Sequence, residues 1–203
     1  GITVAGLDGK PLLPNLQLEA AVTEGKIILK KMAGGGWAIT GTIIPDGAAG
    51  NIRYGLQASG TMKKEYLQAL SPILANHLDA CAGSIRIEEI AGTYTVGSRN
   101  PSLPKCRGRL TNAHIAVKQD SGRAPIGISN VDAAFLFEDN TLSLEEIRFG
   151  ESMIKGTVHP IPGSTPEAAL SGSIQLADIP YAGVMNGMPV SNLKGRLDIA
   201  SFS

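Results

Sequence analysis

The residues of this chain that could do chemistry are few and scattered. His77, His114 and His159 are the only histidines. A zinc or similar site needs two or more His or Cys at short, regular spacing, and none of the three has such a neighbour. Ser152, in Phe149-Gly150-Glu151-Ser152-Met153-Ile154, would be a nucleophile if it sat on a strand-to-helix elbow. The second glycine of that motif is missing, so Ser152 reads as a strand residue. Glu88-Glu89 and Glu145-Glu146 supply paired carboxylates, but adjacent residues of a regular strand face opposite ways and cannot share a reacting atom. Gly34-Gly35-Gly36 is glycine-rich like a phosphate loop, yet no Lys-Ser/Thr follows and no helix opens behind it. Cys81 and Cys106 are not a C-x-x-C pair. They read either as two buried thiols or as a disulfide, which would suit an oxidising compartment. The expectation is a chain that is not an enzyme and holds no metal and no cofactor.

Composition narrows the partners. Among 203 residues, 18 Lys+Arg balance 18 Asp+Glu, so the basic excess that nucleic acid requires is missing. Aromatic residues make up 4%, too few for base- or sugar-stacking platforms. The 25 glycines against 12 prolines point to tight turns rather than a disordered tail. No apolar run approaches the roughly 20 residues that span a bilayer as a helix. Residues 1–10 lack the basic and apolar regions of a signal peptide.

Positioning comes from an internal repeat. Residues 15–45 lie over 130–160 without a gap, at an offset of 115. Identical pairs include Asn15/Asn130, Leu29/Leu144, Gly35/Gly150, Ile39/Ile154, Gly41/Gly156 and Thr42/Thr157. A weaker match at an offset of 64 places Gly108, Ala113 and Ile115 on Gly172, Ala177 and Ile179. Asn15, Asn130 and Asn192 then open equivalent strands, and the last copy stops short at Ser203, as expected of a piece of something longer.

Within the copies the hydrophobic period is two, as in Leu16-Gln17-Leu18-Glu19-Ala20, which describes strands with one apolar face. Turn signals at Thr23-Glu24-Gly25, Gly34-Gly35-Gly36, Asp46-Gly47, Glu138-Asp139-Asn140 and Pro162-Gly163 make the links short and the neighbours antiparallel. One stretch differs. Tyr66, Leu67, Leu70, Ile73, Leu74 and Leu78 form a helical stripe over about 62–80. The chain thus divides into a first β unit (1–62), an insertion with that helix and a strand at Ser84–Ile90 (63–107), a second β unit (108–171) and a truncated third (172–203). The fold class is mainly β: an elongated, antiparallel, repeat-built sheet with one amphipathic helical insertion.

The repeated unit has a family likeness. Residues 129–158, and above all Gly150, Ser152, Ile154, Gly156 and Val158 in a G-x-S-x-I-x-G-x-V stretch, resemble the recurring unit of the AsmA-like family of bacterial envelope proteins, the YhdP and TamB type. The first copy departs from it at Trp37, which stands where the small residue is expected. The resemblance implies a periplasmic β groove, taco-like in section and apolar inside. It further implies an inner-membrane anchor N-terminal to this sequence, and phospholipid or another acyl lipid as the cargo carried toward the outer membrane. Other envelope proteins are implied as possible partners.

A groove of this kind would be lined by the apolar register of the strands. In the first copy these are Leu16, Leu18, Val22, Ile27, Leu29, Ile39 and Ile43; in the second, Val131, Phe135, Phe137, Leu142, Leu144, Ile154 and Val158. The same residues would serve a dry sandwich core equally well. Two alternatives therefore stand beside lipid carriage: a structural or protein-interaction module with a closed core, and a spacer in an extracellular adhesin or scaffold.

Overall fold

The computed structural model describes residues 2–5, 11–46, 50–65, 76, 78–96, 105–118, 125–159, 167–179, 182–185, 188–191 and 194–202. They form strands almost throughout: β1 (Ile2–Ala5), β2 (Pro11–Thr23), β3 (Lys26–Gly34), β4 (Trp37–Asp46), β5 (Asn51–Lys63), β6 (Leu78–Thr95) and β7 (Lys105–Val117), then β8 (Ile126–Glu138), β9 (Thr141–Phe149), β10 (Ser152–His159), β11 (Glu167–Gln175), β12 (Ala182–Met185), β13 (Met188–Ser191) and β14 (Arg196–Phe202). Strands β2 to β11 and then β14 make one antiparallel ladder in chain order. β1 extends it beyond β2 through an irregular register. The hairpin β12–β13 is a separate two-stranded sheet within the β11–β14 connection.

Turn chemistry explains the meander. Glu24-Gly25, Gly35-Gly36 and Asp139-Asn140 each join two strands through two residues at positive φ. That backbone matches the twist of the flanking strands, and Gly, Asn and Asp enter it most readily. Gly34-Gly35-Gly36 is therefore a hairpin, as its lack of phosphate-loop partners suggested.

The structural repeat is shorter than the 115-residue offset, and its mark is a β-bulge. In Leu29-Lys30-Lys31-Met32 the two apolar residues pair with Gly41 and Ile39, so Thr40 alone opposes both lysines. Ile87-Glu88-Glu89-Ile90 does the same around Gln57, and Leu144-Glu145-Glu146-Ile147 around Lys155. Lys30, Glu88 and Glu145 lie 58 and 57 residues apart, in the middle strands of β2–β4, β5–β7 and β8–β10. β11 and β14 follow as the first two strands of a fourth unit. There Gly172 pairs with Ile199 and Leu170 with Phe202, leaving Ser171 opposite two residues. The 115-residue match thus spans two three-strand units.

Several expectations are revised. The stretch expected as a helix over 62–80 is strand at both ends, since Met62 and Lys63 close β5 and Leu78 opens β6. Between them Lys64, Glu65 and Asn76 are helical, while 66–75 and 77 lie outside the described residues, so the amphipathic helical insertion is not borne out. The strand expected at Ser84–Ile90 is part of an 18-residue β6 hydrogen-bonded on both sides. Asn15 and Asn130 lie inside β2 and β8 rather than opening them. Asn130 takes φ 56°, and with Ser129 it opposes His114 alone, a bulge that a left-handed Asn tolerates. The offset of 64 has no structural counterpart: Ala113 and Ile115 are in β7, whereas Ala177 lies in a 3-10 turn after β11 and Ile179 just beyond it.

Cys81 and Cys106 are free. Cys81 lies in β6, and Cys106 pairs with Ile90 of that strand. Nine residues of strand at ~3.3 Å each put roughly 30 Å between them, far beyond disulfide reach. Burial pushes both thiols above their ordinary value of 9.0.

Candidate functional site: a continuous apolar face

Cross-strand partners share a face, so the register shows what runs along the sheet at right angles to its strands. One row reads Leu18, Met32, Ile39, Ala58, Ile87, Gly108, Phe135, Leu144, Gly156, Leu170. Beside it runs Ala20, Leu29, Gly41, Leu56, Ile90, Cys106, Phe137, Leu142, Val158, Ala168. On the other flank, Gly34, Trp37, Gly60, Ile85, Leu110, Ala133, Ile147, Ile154, Gly172 and Ile199 continue to β14. No charged residue enters any of the three. Strands spaced ~4.8 Å apart make each row about 43 Å long, and the rows are ~7 Å apart.

The bulges keep these rows aligned. Two charged residues between two inward ones would flip a regular strand; the bulge absorbs one and sends both to the other face. The carboxylate pairs expected on opposite faces are therefore on the same, polar one. Glu88 meets Arg109 at 3.2 Å, and Lys105 lies between Glu89 at 3.7 Å and Glu138 at 3.6 Å. Glu145 meets Arg107 at 3.5 Å and Glu146 meets Arg148 at 2.6 Å. Each pair is substantially exposed, so each contributes no more than about 1 kcal/mol. The carboxylates are consumed in surface pairing.

All fourteen residues named from the sequence as lining candidates fall on the apolar face. They differ in cover. Val22 is 77% and Leu18 51% exposed at the β2 end, whereas Leu29 is 7% and Val131 4% exposed. Val131 belongs to a small packed cluster with Ala113 and Phe149, flanked by Leu110, Ile147, Ile154, Ile174 and Ile179. The other ten are partly covered by their neighbours. Among the described residues no second sheet packs over the three rows; the 3-10 turn Leu176–Asp178 and Ile179 reach the face at its β9–β10 end, on Ser152 and the Val131 cluster. The accessible surface is 13128 Å², against about 9,000 Å² for a globular chain of this mass. Three shallow depressions of about 510, 250 and 480 Å³ open on the polar side instead, around Ser59, Arg86, Arg109 and Glu146.

Ser152 sits in a built environment that sequence reasoning missed. It is 2% exposed. Its hydroxyl donates to Asp178 Oδ2 at 2.6 Å and accepts from the Gln175 backbone N–H at 2.8 Å. The same Asp178 oxygen takes the Glu151 N–H at 2.9 Å. A Cβ on Gly150, which has φ 57°, would collide with that carboxylate. Asp178 therefore clasps the β9–β10 turn to the end of β11. With its hydroxyl both donating and accepting and shut away from solvent, Ser152 is held as a structural link. The only advance signal was Ser152 following Gly150, since Asp178 arrives from a distant segment. His114 and His159 are exposed and pair with Ser129 and Thr141; His77 lies outside the described residues. Among the described residues no cluster of His, Cys, Asp and Glu could hold a metal ion.

Compared with family models, curated proteins and solved structures, the chain gives no match in any of the three. Its function is read from the face itself.

Proposed function

We propose that the apolar face binds the acyl chains of phospholipid or another acyl lipid, as one stretch of a groove that conducts lipid between the inner and outer membranes. The observation that carries this reading is the set of three uncharged rows crossing ten strands each. Acyl chains need many similar weak contacts along a path and no catalytic group, with about 0.8 kcal/mol from each methylene buried. The polar face with its ion pairs stays in water. The likeness of residues 129–158 to the AsmA-like repeat supports the same reading. It carries with it a periplasmic setting, a taco-like curvature and an anchor in the inner membrane.

The first test is to purify the protein from a bacterial host and combine native mass spectrometry with organic extraction. Co-purified phospholipid, lost in folded Phe135→Asp and Leu144→Asp variants, is expected. A lipid-free monomer would favour the second reading, a structural or protein-interaction module. That reading draws on the closed cluster of Ala113, Val131 and Phe149, which shows that part of the face packs on itself.

A further inference from the structure

The apolar rows contain glycines of two kinds. Gly41, Gly156 and Gly172 have φ of 149°, 157° and 142°, so their backbone alone calls for glycine. Gly60 and Gly108 do not take positive φ, and any residue could adopt their conformation. What excludes a side chain at Gly60 is an aromatic ring, and at Gly108 a ring together with a backbone oxygen. A Cβ on Gly60 would lie 2.5 Å from Trp37 Cδ2, and 2.8 Å from both Cε3 and Cγ. On Gly108 it would lie 2.8 Å from Phe135 Cζ, 2.9 Å from the Arg86 backbone oxygen and 3.2 Å from Phe135 Cε1. Each ring belongs to the glycine's direct cross-strand partner. The chain's only Trp and one of its four Phe thus lie over bare backbone.

We propose that Gly60 and Gly108 are seats that lay the Trp37 and Phe135 rings down and so set the depth of the lipid-binding face, making it a smooth floor for linear acyl chains. This rests on the lipid-binding reading above. A ring lying on the backbone adds about 3.5 Å of height, its van der Waals thickness. A ring forced off its seat stands up into the path of the chain. The two seats lie on β5 and β7, two strands and ~10 Å apart along the sheet, within the length of one extended acyl chain, so a single chain would cross both.

The test uses cis-parinaric acid, a linear fluorescent fatty acid, titrated into wild type, Gly60→Ala, Gly108→Ala and the double variant Gly60→Ala/Trp37→Leu. Gly60→Ala should weaken binding about tenfold, the loss of roughly two methylene contacts, and shift the Trp37 emission to the red as the indole leaves its seat, while circular dichroism stays that of a sheet. The double variant, which shrinks the displaced side chain, should recover most of that loss. Gly108→Ala, which also meets the Arg86 backbone oxygen, should weaken binding at least as much. Wild type that binds the probe, with Gly60→Ala binding equally well, overturns the seats and spares the lipid reading. Wild type that binds nothing overturns both. If Gly60→Ala fails to fold, the double variant decides: recovered binding supports the seats, and a persistent tenfold loss refutes them.

Discussion

Deleting one residue from β6 should be nearly harmless or severely destabilising, depending on which of two close neighbours is removed. Glu88 is the extra residue of the β6 bulge. Without it, Ile87-Glu89-Ile90 faces Ala58-Gln57-Leu56 on one side and Gly108-Arg107-Cys106 on the other, and both ladders become regular at this point. The loss is one exposed ion pair to Arg109, under about 1 kcal/mol. Arg86 has no such slack. Its removal carries Ile85 and the buried Cys81 to the polar face. Otherwise the strand surrenders its bulge, which puts Ile87 outside and the Glu88 carboxylate among apolar side chains. The first route forfeits most of two apolar side chains, and the second one such chain plus the desolvation of a charge. Either costs about 3 kcal/mol or more, a large part of a domain's usual 5–15. With a urea slope of ~1–3 kcal/mol per molar, the midpoints of the two deletions should differ by roughly 1–2 M, Glu88 deletion being the more stable. Equal midpoints would refute the register and the bulge together.

Asp178→Ala leaves the Ser152 hydroxyl and the Glu151 N–H without their acceptor and should cost about 1–3 kcal/mol in urea unfolding; a loss below ~0.5 would mean the clasp is idle. Phe135→Asp and Leu144→Asp should abolish lipid co-purification while retaining β-sheet circular dichroism, and unfolding of both would count for a packed core. Cys81 and Cys106 should be titratable as two free thiols in the denatured, unreduced protein, and a mass two hydrogen atoms lighter that reductant restores would contradict their separation. Burial raises both thiol pKa values, so the neutral forms favour the fold. Their stabilisation is present below the ordinary value of 9.0 and is lost as pH rises past it. Cys81→Ala/Cys106→Ala should flatten the fall in stability above pH 9.0, and an unchanged slope would assign the effect elsewhere.

Much of the architecture was legible because its cause is local. Period-two alternation and the Glu24-Gly25, Gly35-Gly36 and Asp139-Asn140 turns suffice for an antiparallel meander. The fourteen candidates were placed on one face by the same alternation. The bulges were not, because Lys30-Lys31 and Glu88-Glu89 look like ordinary strand doublets until a partner strand shows only one residue opposite. Hence two units were counted as one, and the carboxylates were assigned to opposite faces. The stripe at 66–74 has helical spacing, yet Met62 and Leu78 at its borders were claimed by the ladders of β5 and β6. Asp178 escaped notice because its partners lie 26 and 27 residues away, and nothing in the local sequence couples them.

On the proposed lipid-binding reading, acyl chains lie on the face that carries Trp37. Trp37 is the only tryptophan, so its fluorescence reports on that face alone. The direct measurement is quenching by phospholipid brominated along its acyl chains, compared with the same lipid unbrominated. Strong, saturable quenching by the brominated lipid is the predicted result. Lipid that binds without quenching Trp37, or does not bind at all, would contradict the account.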